Sequence, residues 1–427
     1  MPNWTQPWQR RSQLLLWSFA GSVFSFIPNV VAEPTIGLRE STLNAEPQTL
    51  QAPIIPVWQL EASSTLTQTE RSDRSEHEAS NPMPTLSGEA VFSLIQASRP
   101  DAGEPLRPSL GSRIRLNIET SFSGNDRLRL RLQTTNVAEL DDVYGTDLAR
   151  LSIQGDDQFQ VSLSRLEYQF PIGKDTEVFV QAIGGSISDI ADPLNPRFSS
   201  SSRGAISRFG QRNPLYRQGG STGIGLSHDF SDRINLSLGY LGDDQDLLSD
   251  EESVAFAQLT LEPIESIQIG LLYTYGLNGL DTGTGSQQAN DPFADQSEAI
   301  AAHSVGLQTT AELTDQLTVS GWAGYTRATA TDLAHRPQAD ILNWALTLGY
   351  SDLFLDHTLG GVIVGRPPHV MSDPTPTSPT WHLEVFYQIP LSDNITLTPG
   401  IVVITHPEAD PNRSSIVVGT LRTLFRF

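Results

Sequence analysis

The sequence predicts an all-β fold, a transmembrane antiparallel β-barrel of about sixteen strands, and three features carry that prediction. Short segments in which apolar and polar residues alternate recur from about residue 85 to the end of the chain. The connections between them alternate between tight and long, as they do when all long loops lie at one end of a barrel. The final segment closes on an aromatic, with Thr420, Arg422, Leu424 and Arg426 on one face and Val417, Leu421, Phe425 and Phe427 on the other. One face would meet lipid and the other water.

Composition excludes most competing classes. Only 38% of the 427 residues are hydrophobic, and past the N-terminus no stretch of about 18 apolar residues could span a membrane as a helix. A barrel satisfies its backbone groups between strands and needs only alternate residues to be apolar, so its mean hydropathy stays near that of a water-soluble protein. The absence of cysteine removes disulfides, iron–sulfur clusters and thiol catalysis. A net charge of −22 argues against nucleic acid or an anionic membrane surface as a partner.

Taken in order, residues 1–32 read as a secretory signal peptide. Arg10-Arg11 precede the apolar run Leu14-Leu15-Leu16-Trp17-Ser18-Phe19-Ala20, and cleavage is expected after Ala32. The other reading is an uncleaved anchor helix, but Pro28 and Asn29 interrupt it early. The twin arginines hint at the Tat export route, yet Ser12-Gln13 lacks the rest of that pattern. Residues 33–84 are rich in Pro, Ser, Thr, Gln and Glu and read as a disordered periplasmic tail or linker.

Residues 85–427 form the expected barrel. Strands are expected near 85–97, 111–122, 127–135, 161–170, 176–185, 221–230, 233–241, 253–261, 267–276, 303–313, 317–327, 341–351, 357–366, 380–390, 394–405 and 416–427. Both termini then fall on the side of the tight turns, which in an outer membrane is the periplasm. In the second and third strands Ile114, Leu116, Ile118, Leu128, Leu130 and Leu132 point one way, so Arg113, Arg115, Arg127, Arg129 and Arg131 point the other. Trp381, Leu383, Val385, Tyr387 and Ile389 likewise leave His382, Glu384 and Gln388 for the lumen. Around Ser164-Arg165 the alternation slips by one, which predicts a β-bulge. Tyr273, Tyr275, Tyr325, Trp344 and Tyr350 suit aromatic girdles or ordinary cross-strand packing.

The long connection from Ser186 to Gly220, after the fifth strand, is the third long loop, which in sixteen-stranded barrels of this kind folds inward and narrows the lumen. Its Arg197, Arg203, Arg208, Arg212 and Arg217 fit two roles, lining a constriction or pinning the loop to acidic wall residues. Arg422 and Arg426 on the closing strand extend the wall set, and the resulting basic lumen predicts a weak anion preference or oriented hydrogen bonding of solutes. An enzyme is not expected, because the eight histidines are scattered and only His382 falls clearly on a lumen face. The acidic runs Asp243-Asp244-Gln245-Asp246 and Asp250-Glu251-Glu252 lack the glycine spacing of a calcium loop, so no metal and no cofactor is expected.

A resemblance now sharpens these readings. Asp192-Pro193-Leu194-Asn195-Pro196, Gly204-Ala205-Ile206-Ser207-Arg208-Phe209-Gly210-Gln211-Arg212-Asn213-Pro214, Trp381-His382-Leu383-Glu384, Gly361-Val362-Ile363-Val364-Gly365-Arg366-Pro367-Pro368 and the closing strand to Phe427 resemble cyanobacterial outer-membrane porins of the carbohydrate-selective (OprB-type) class, also labelled iron-uptake porins. The resemblance implies a passive diffusion channel for small hydrophilic solutes: sugars, inorganic ions or iron species. Partners it implies are outer-membrane lipid and lipopolysaccharide, barrel-assembly machinery acting on the Phe427 strand, and a homotrimer. Residues 33–84 resemble neither the surface-layer-homology domain nor the coiled coil that family members usually carry. The competing class is a non-channel barrel, an enzyme or adhesion scaffold whose lumen is plugged.

Overall fold

The structure, a computed structural model, describes residues 83–98, 106–243, 252–294, 296–371 and 378–427. The expected signal peptide, nearly all of the linker, and the acidic runs apart from Asp243 and Glu252 lie outside the described residues.

Sixteen strands form the barrel: β1 Thr85–Ala97, β2 Ser109–Thr120, β3 Arg127–Val137, β4 Ser162–Ile172, β5 Thr176–Ile183, β6 Thr222–Ser231, β7 Ile234–Gly242, β8 Ser253–Ile264, β9 Ile267–Leu277, β10 Ile300–Glu312, β11 Leu317–Ala330, β12 Gln338–Ser351, β13 Leu359–Val370, β14 Trp381–Ser392, β15 Ile395–Thr405 and β16 Ile416–Arg426. A further two-residue segment, Gly155–Asp156, only caps the end of β3. Each strand pairs antiparallel with its neighbours in sequence, and β1 closes the ring on β16, from Glu89 opposite Arg426 to Ala97 opposite Val418. Phe427 completes the seam by exchanging backbone hydrogen bonds with Gly88 at 2.7 and 3.1 Å. Closure leaves no unpaired edge for lipid to meet, as hydrocarbon demands.

The two faces separate as the alternation requires. On β10, Ala302, Ser304, Gln308 and Thr310 are buried, while Val305 and Leu307 are exposed outward. On β16 the inward set is Ile416, Val418, Thr420, Arg422 and Leu424. Ile114, Leu346, Val362, Leu383 and Ile401 belong to the apolar exterior. The expected bulge is present: Arg131 faces Arg165 but Leu132 faces Leu163, so Ser164 has no partner across the ladder. That extra residue brings Arg165 and Glu167 to the lumen side, where they pair at 2.9 Å.

Both termini of the barrel lie at the end of the tight turns. In the β2–β3 turn one carboxylate organises the backbone: Asp126 Oδ1 accepts from the Ser123 N–H at 2.6 Å, the Phe122 N–H at 3.0 Å and the Ser121 hydroxyl at 2.8 Å. Gly124 supplies the positive φ of 87° that closes this turn. Length alternation is weaker than the sequence implies, since the β11–β12 and β12–β13 connections, at opposite ends, have seven residues each. Tyr387 also departs from the expected outward face. It is 8% exposed, and its hydroxyl donates to the Leu353 carbonyl beneath the β12–β13 turn.

Candidate functional site

The β5–β6 connection, residues 184–221, crosses the lumen and touches most of the wall. Leu194 N–H donates to Gln308 Oε1 on β10 at 3.3 Å, and the Thr347 hydroxyl on β12 donates to Asn195 Oδ1 at 3.1 Å. The Phe198 ring packs edge-on to Phe386 on β14 at 5.1 Å, and Phe209 packs on Trp322 of β11 at 5.7 Å. Further along, the Thr274 hydroxyl on β9 donates to Gln218 Oε1 at 2.7 Å. Gly204 permits a tight bend, because a Cβ there would overlap the Phe198 carbonyl oxygen.

Small inward residues make room for this loop. Along β10 to β13 the inner face carries Ser304, Gly306, Gln308, Ser320, Gly324, Ala345, Thr347, Gly361 and Gly365, interspersed with Trp322 and Ile363. Phe198, Ala205, Ile206 and Phe209 fill that space in one apolar cluster with Trp322, Ala345, Ile363 and Phe386. A second cluster joins Ile187, Ile190, Leu215 and Tyr216 to Leu241, Val254, Phe256 and Leu272. The sequence reading missed this apolar lining of the lumen. Its signal was available in Phe256, Trp322, Ile363 and Phe386, all at inward register beside glycines and alanines.

Polar anchors fix the loop at two further points. Glu384, 1% exposed, accepts from the Ile206 N–H at 2.5 Å, the Ser207 N–H at 3.1 Å and the Ser207 hydroxyl. Arg422, 2% exposed, donates to the carbonyls of Ser201, Gly204 and Ala205 at 3.2, 2.6 and 3.3 Å. Ser207, His382 and Glu384 thus converge, yet they are not a nucleophilic relay. Ser207 lies 3.1 Å from His382 Nε2 but also bonds the carboxylate directly, and among the described residues the imidazole Nδ1, where a triad carboxylate would sit, has no partner. The fully buried group holds the loop.

Against the opposite wall the loop leaves a cavity of about 640 Å³. Arg115, Arg129, Arg131 and Arg165 line it from the barrel, and Arg203, Arg208, Arg212 and Arg217 from the loop. Among the described residues four carboxylates face them, Glu89, Asp189, Asp243 and Glu252, with the hydroxyls of Ser152 and Ser199 to Ser202 between. The wall arginines are mostly neutralised in place. Arg129 lies 2.5 Å from Glu119 and 3.2 Å from Glu167, Arg115 lies 3.6 Å from Glu89, and Arg165 lies 2.7 Å from Asp189. Arg131 differs in donating to the neutral Asn117 Oδ1 at 2.8 Å.

Five of the expected pore residues do not line the cavity. Arg113 is 3% exposed, buried between Glu89 at 3.3 Å and the Ser201 hydroxyl at 3.0 Å. Arg422 is buried by its loop contacts, so both arginines act as fasteners. Arg127 bonds Gln169 at 2.5 Å, and Arg197 sits exposed on the loop outside the cavity lining. Arg426 is exposed at the tight-turn end, where it donates to the Asp393 carbonyl at 2.7 Å. The pinning of loop arginines to acidic wall residues also runs in reverse. Among the described residues Arg203, Arg208, Arg212 and Arg217 have no carboxylate within 4.0 Å, whereas wall arginines grip the loop's hydroxyls, carbonyls and Asp189.

With this geometry in hand, comparison with known proteins decides the family. The model of the carbohydrate-selective porin, OprB family, matches residues 64–427. The chain belongs to that family. As a β-barrel member of it, the protein is placed in the outer membrane. An uncharacterized protein of Synechocystis sp. is 31% identical over 347 residues, covering 74% of this chain and 63% of the relative. One from Nostoc sp. is 26% identical over 376 residues, covering 80% and 65%. The chain therefore spans less than two thirds of either curated relative. Among solved structures, Pseudomonas putida OprB superposes with a TM-score of 0.57 at 13% identity over 81% of this chain and 94% of that one. An anion-selective porin from Comamonas acidovorans gives 0.54 at 11% over 81% and 100%. At such identities the likeness is one of fold.

Proposed function

We propose that the protein is a passive diffusion channel through which small hydrophilic solutes cross the outer membrane, with the arginine- and serine-lined cavity as its narrow section. The supporting observation is the asymmetric seating of the inward loop, which fills one side of the lumen with apolar side chains and leaves the other side polar. Guanidinium groups held in fixed planes by carboxylates, alternating with hydroxyls, suit oriented hydrogen bonding of sugar hydroxyls, and the excess of arginine over carboxylate favours anions. The remaining parts of this reading are export by residues 1–32, a periplasmic linker at 33–84, assembly through the Phe427 strand, and trimerisation. Purified protein in a planar bilayer should give stepwise conductance, and loaded liposomes should swell in isosmotic hexose. Folded protein that yields neither would reject a channel in favour of a plugged barrel.

A further inference from the structure

The eight arginines around the cavity are of two kinds, and the difference points to a ligand. On the wall, Arg115, Arg129 and Arg165 pair with carboxylates, which leaves them little unsatisfied charge, and Arg131 donates to Asn117. Arg208, Arg212 and Arg217 come from one ten-residue stretch of the loop and face the same cavity with no carboxylate partner among the described residues. Arg208 makes no side-chain hydrogen bond among the described residues, and its buried Nε has no acceptor. Among the described residues Arg212 reaches the Ser188 hydroxyl and the Ser199 carbonyl, and its Nε is also unpartnered. Arg217 donates to the Arg208 carbonyl at 2.8 Å and to Gln211 Oε1 at 2.7 Å, with its buried Nη1 and the Gln211 amide nitrogen left over.

Three like charges beside one another on half-buried side chains, with several buried donors unpaired, are costly unless something compensates them. Burial and neighbouring arginines accordingly lower Arg208 to about 10 and press Arg217 well below the usual guanidinium range. A neutral sugar offers no relief, because its hydroxyls accept hydrogen bonds without cancelling charge. A single carboxylate cancels one charge and accepts from one fork. A tetrahedral oxyanion brings up to two negative charges and oxygens in several directions, which suits three guanidinium planes at once.

We infer that Arg208, Arg212 and Arg217 form a binding subsite for a phosphate-type oxyanion, carried either by free inorganic phosphate or by a phosphorylated sugar. The inference rests on the channel reading, since it places the subsite in the path of a permeating solute. Residence there would concentrate the anion at the narrow section and slow the flow of other ions past it.

The test is current block in a planar bilayer. The full-length protein, its fold checked by heat-modifiability on a semi-native gel, conducts potassium chloride while inorganic phosphate, glucose 6-phosphate or glucose is titrated in. Phosphate at low millimolar concentration should reduce the current saturably, and glucose at the same concentration should not. Arg208→Gln, referred to its own phosphate-free current, should raise the half-blocking concentration at least about tenfold, equivalent to about 1.4 kcal/mol. Arg212→Lys retains the charge and loses the fork, and should give a smaller loss in the same direction. Equal block by phosphate and glucose 6-phosphate would identify free oxyanion as sufficient, and tighter block by the ester would identify the phosphorylated sugar. A conducting pore with no saturable phosphate effect, or with the same block in Arg208→Gln, overturns the subsite and leaves the channel reading intact. If folded protein does not conduct, the channel reading fails. Equilibrium dialysis of labelled phosphate against detergent-solubilised wild type and Arg208→Gln then decides the subsite alone: binding lost in the variant supports it, and absent or unchanged binding overturns it.

Discussion

The wall from β1 to β4 and the wall from β10 to β14 obey the same two-residue alternation but carry opposite interiors. The first points arginine and glutamate inward, and the second points glycine, alanine, serine and a few large apolar rings. Long charged side chains on the first wall meet the loop through hydrogen bonds and ion pairs, and the cavity lies along them. Short inward residues leave a trough that Phe198, Ile206 and Phe209 fill, releasing water from apolar surface. The lesson is that alternation decides which residues face inward, while their size decides where the lumen stays open.

The largest effect should follow from emptying the packed side. Phe198→Ala removes a ring that is 1% exposed and packed edge-on to Phe386, a deletion costing about 3–5 kcal/mol in a well-packed interior. The temperature at which the folded band disappears from a semi-native gel should fall clearly, and single-channel current should become larger and noisier as the loop loosens. Unchanged melting and current would mean that the loop owes little to the apolar trough.

On the open side the expected change is in selectivity. Reversing Arg129 and Arg131 to Glu removes two cavity-lining positive charges and places two negative ones on a wall where Glu119 and Glu167 already flank Arg129. In a salt gradient the reversal potential should move several-fold in permeability ratio toward cations, with the melting temperature far less affected than in Phe198→Ala. A stability loss as large as that of Phe198→Ala would erase the distinction between the two sides.

A smaller effect sharpens the comparison through pH. Glu252 lines the cavity just ahead of β8, and burial together with Asp281 and Asp243 pushes its carboxyl up to about 7. Above that pH it is ionised and below it neutral, so acidification removes one negative charge. Among the described residues no histidine lines the cavity to confuse the signal. Anion preference should therefore rise modestly as pH falls from 8 to 6, and Glu252→Gln should show the acidic value throughout. A step that persists in the variant would assign the titration elsewhere.

Much of the barrel was legible because strand periodicity is local. All sixteen strands lie within a few residues of their expected places, and the bulge at Ser164 could be read from the slip between Leu163 and Leu166. The site was less so, since it depends on contacts between distant segments. Register alone sends Arg113, Arg129 and Arg422 inward alike. Only the path of the loop, set by Gly204 and by the trough across β10 to β14, determines that Arg113 and Arg422 become fasteners while Arg129 stays at the cavity. The apolar trough itself was overlooked because inward positions were read for polarity and not for volume.

The central claim is that the lumen is open along the arginine wall and closed along the apolar trough. The chain has no cysteine, so single cysteines can be introduced and probed with a charged methanethiosulfonate reagent during current recording. Asn117 lines the cavity, whereas Thr347 is 1% exposed beneath the loop. Asn117→Cys should react within the recording and reduce the current, while Thr347→Cys should stay inert until the protein is denatured. Rapid modification at Thr347→Cys with none at Asn117→Cys would contradict this account of where the solute passes.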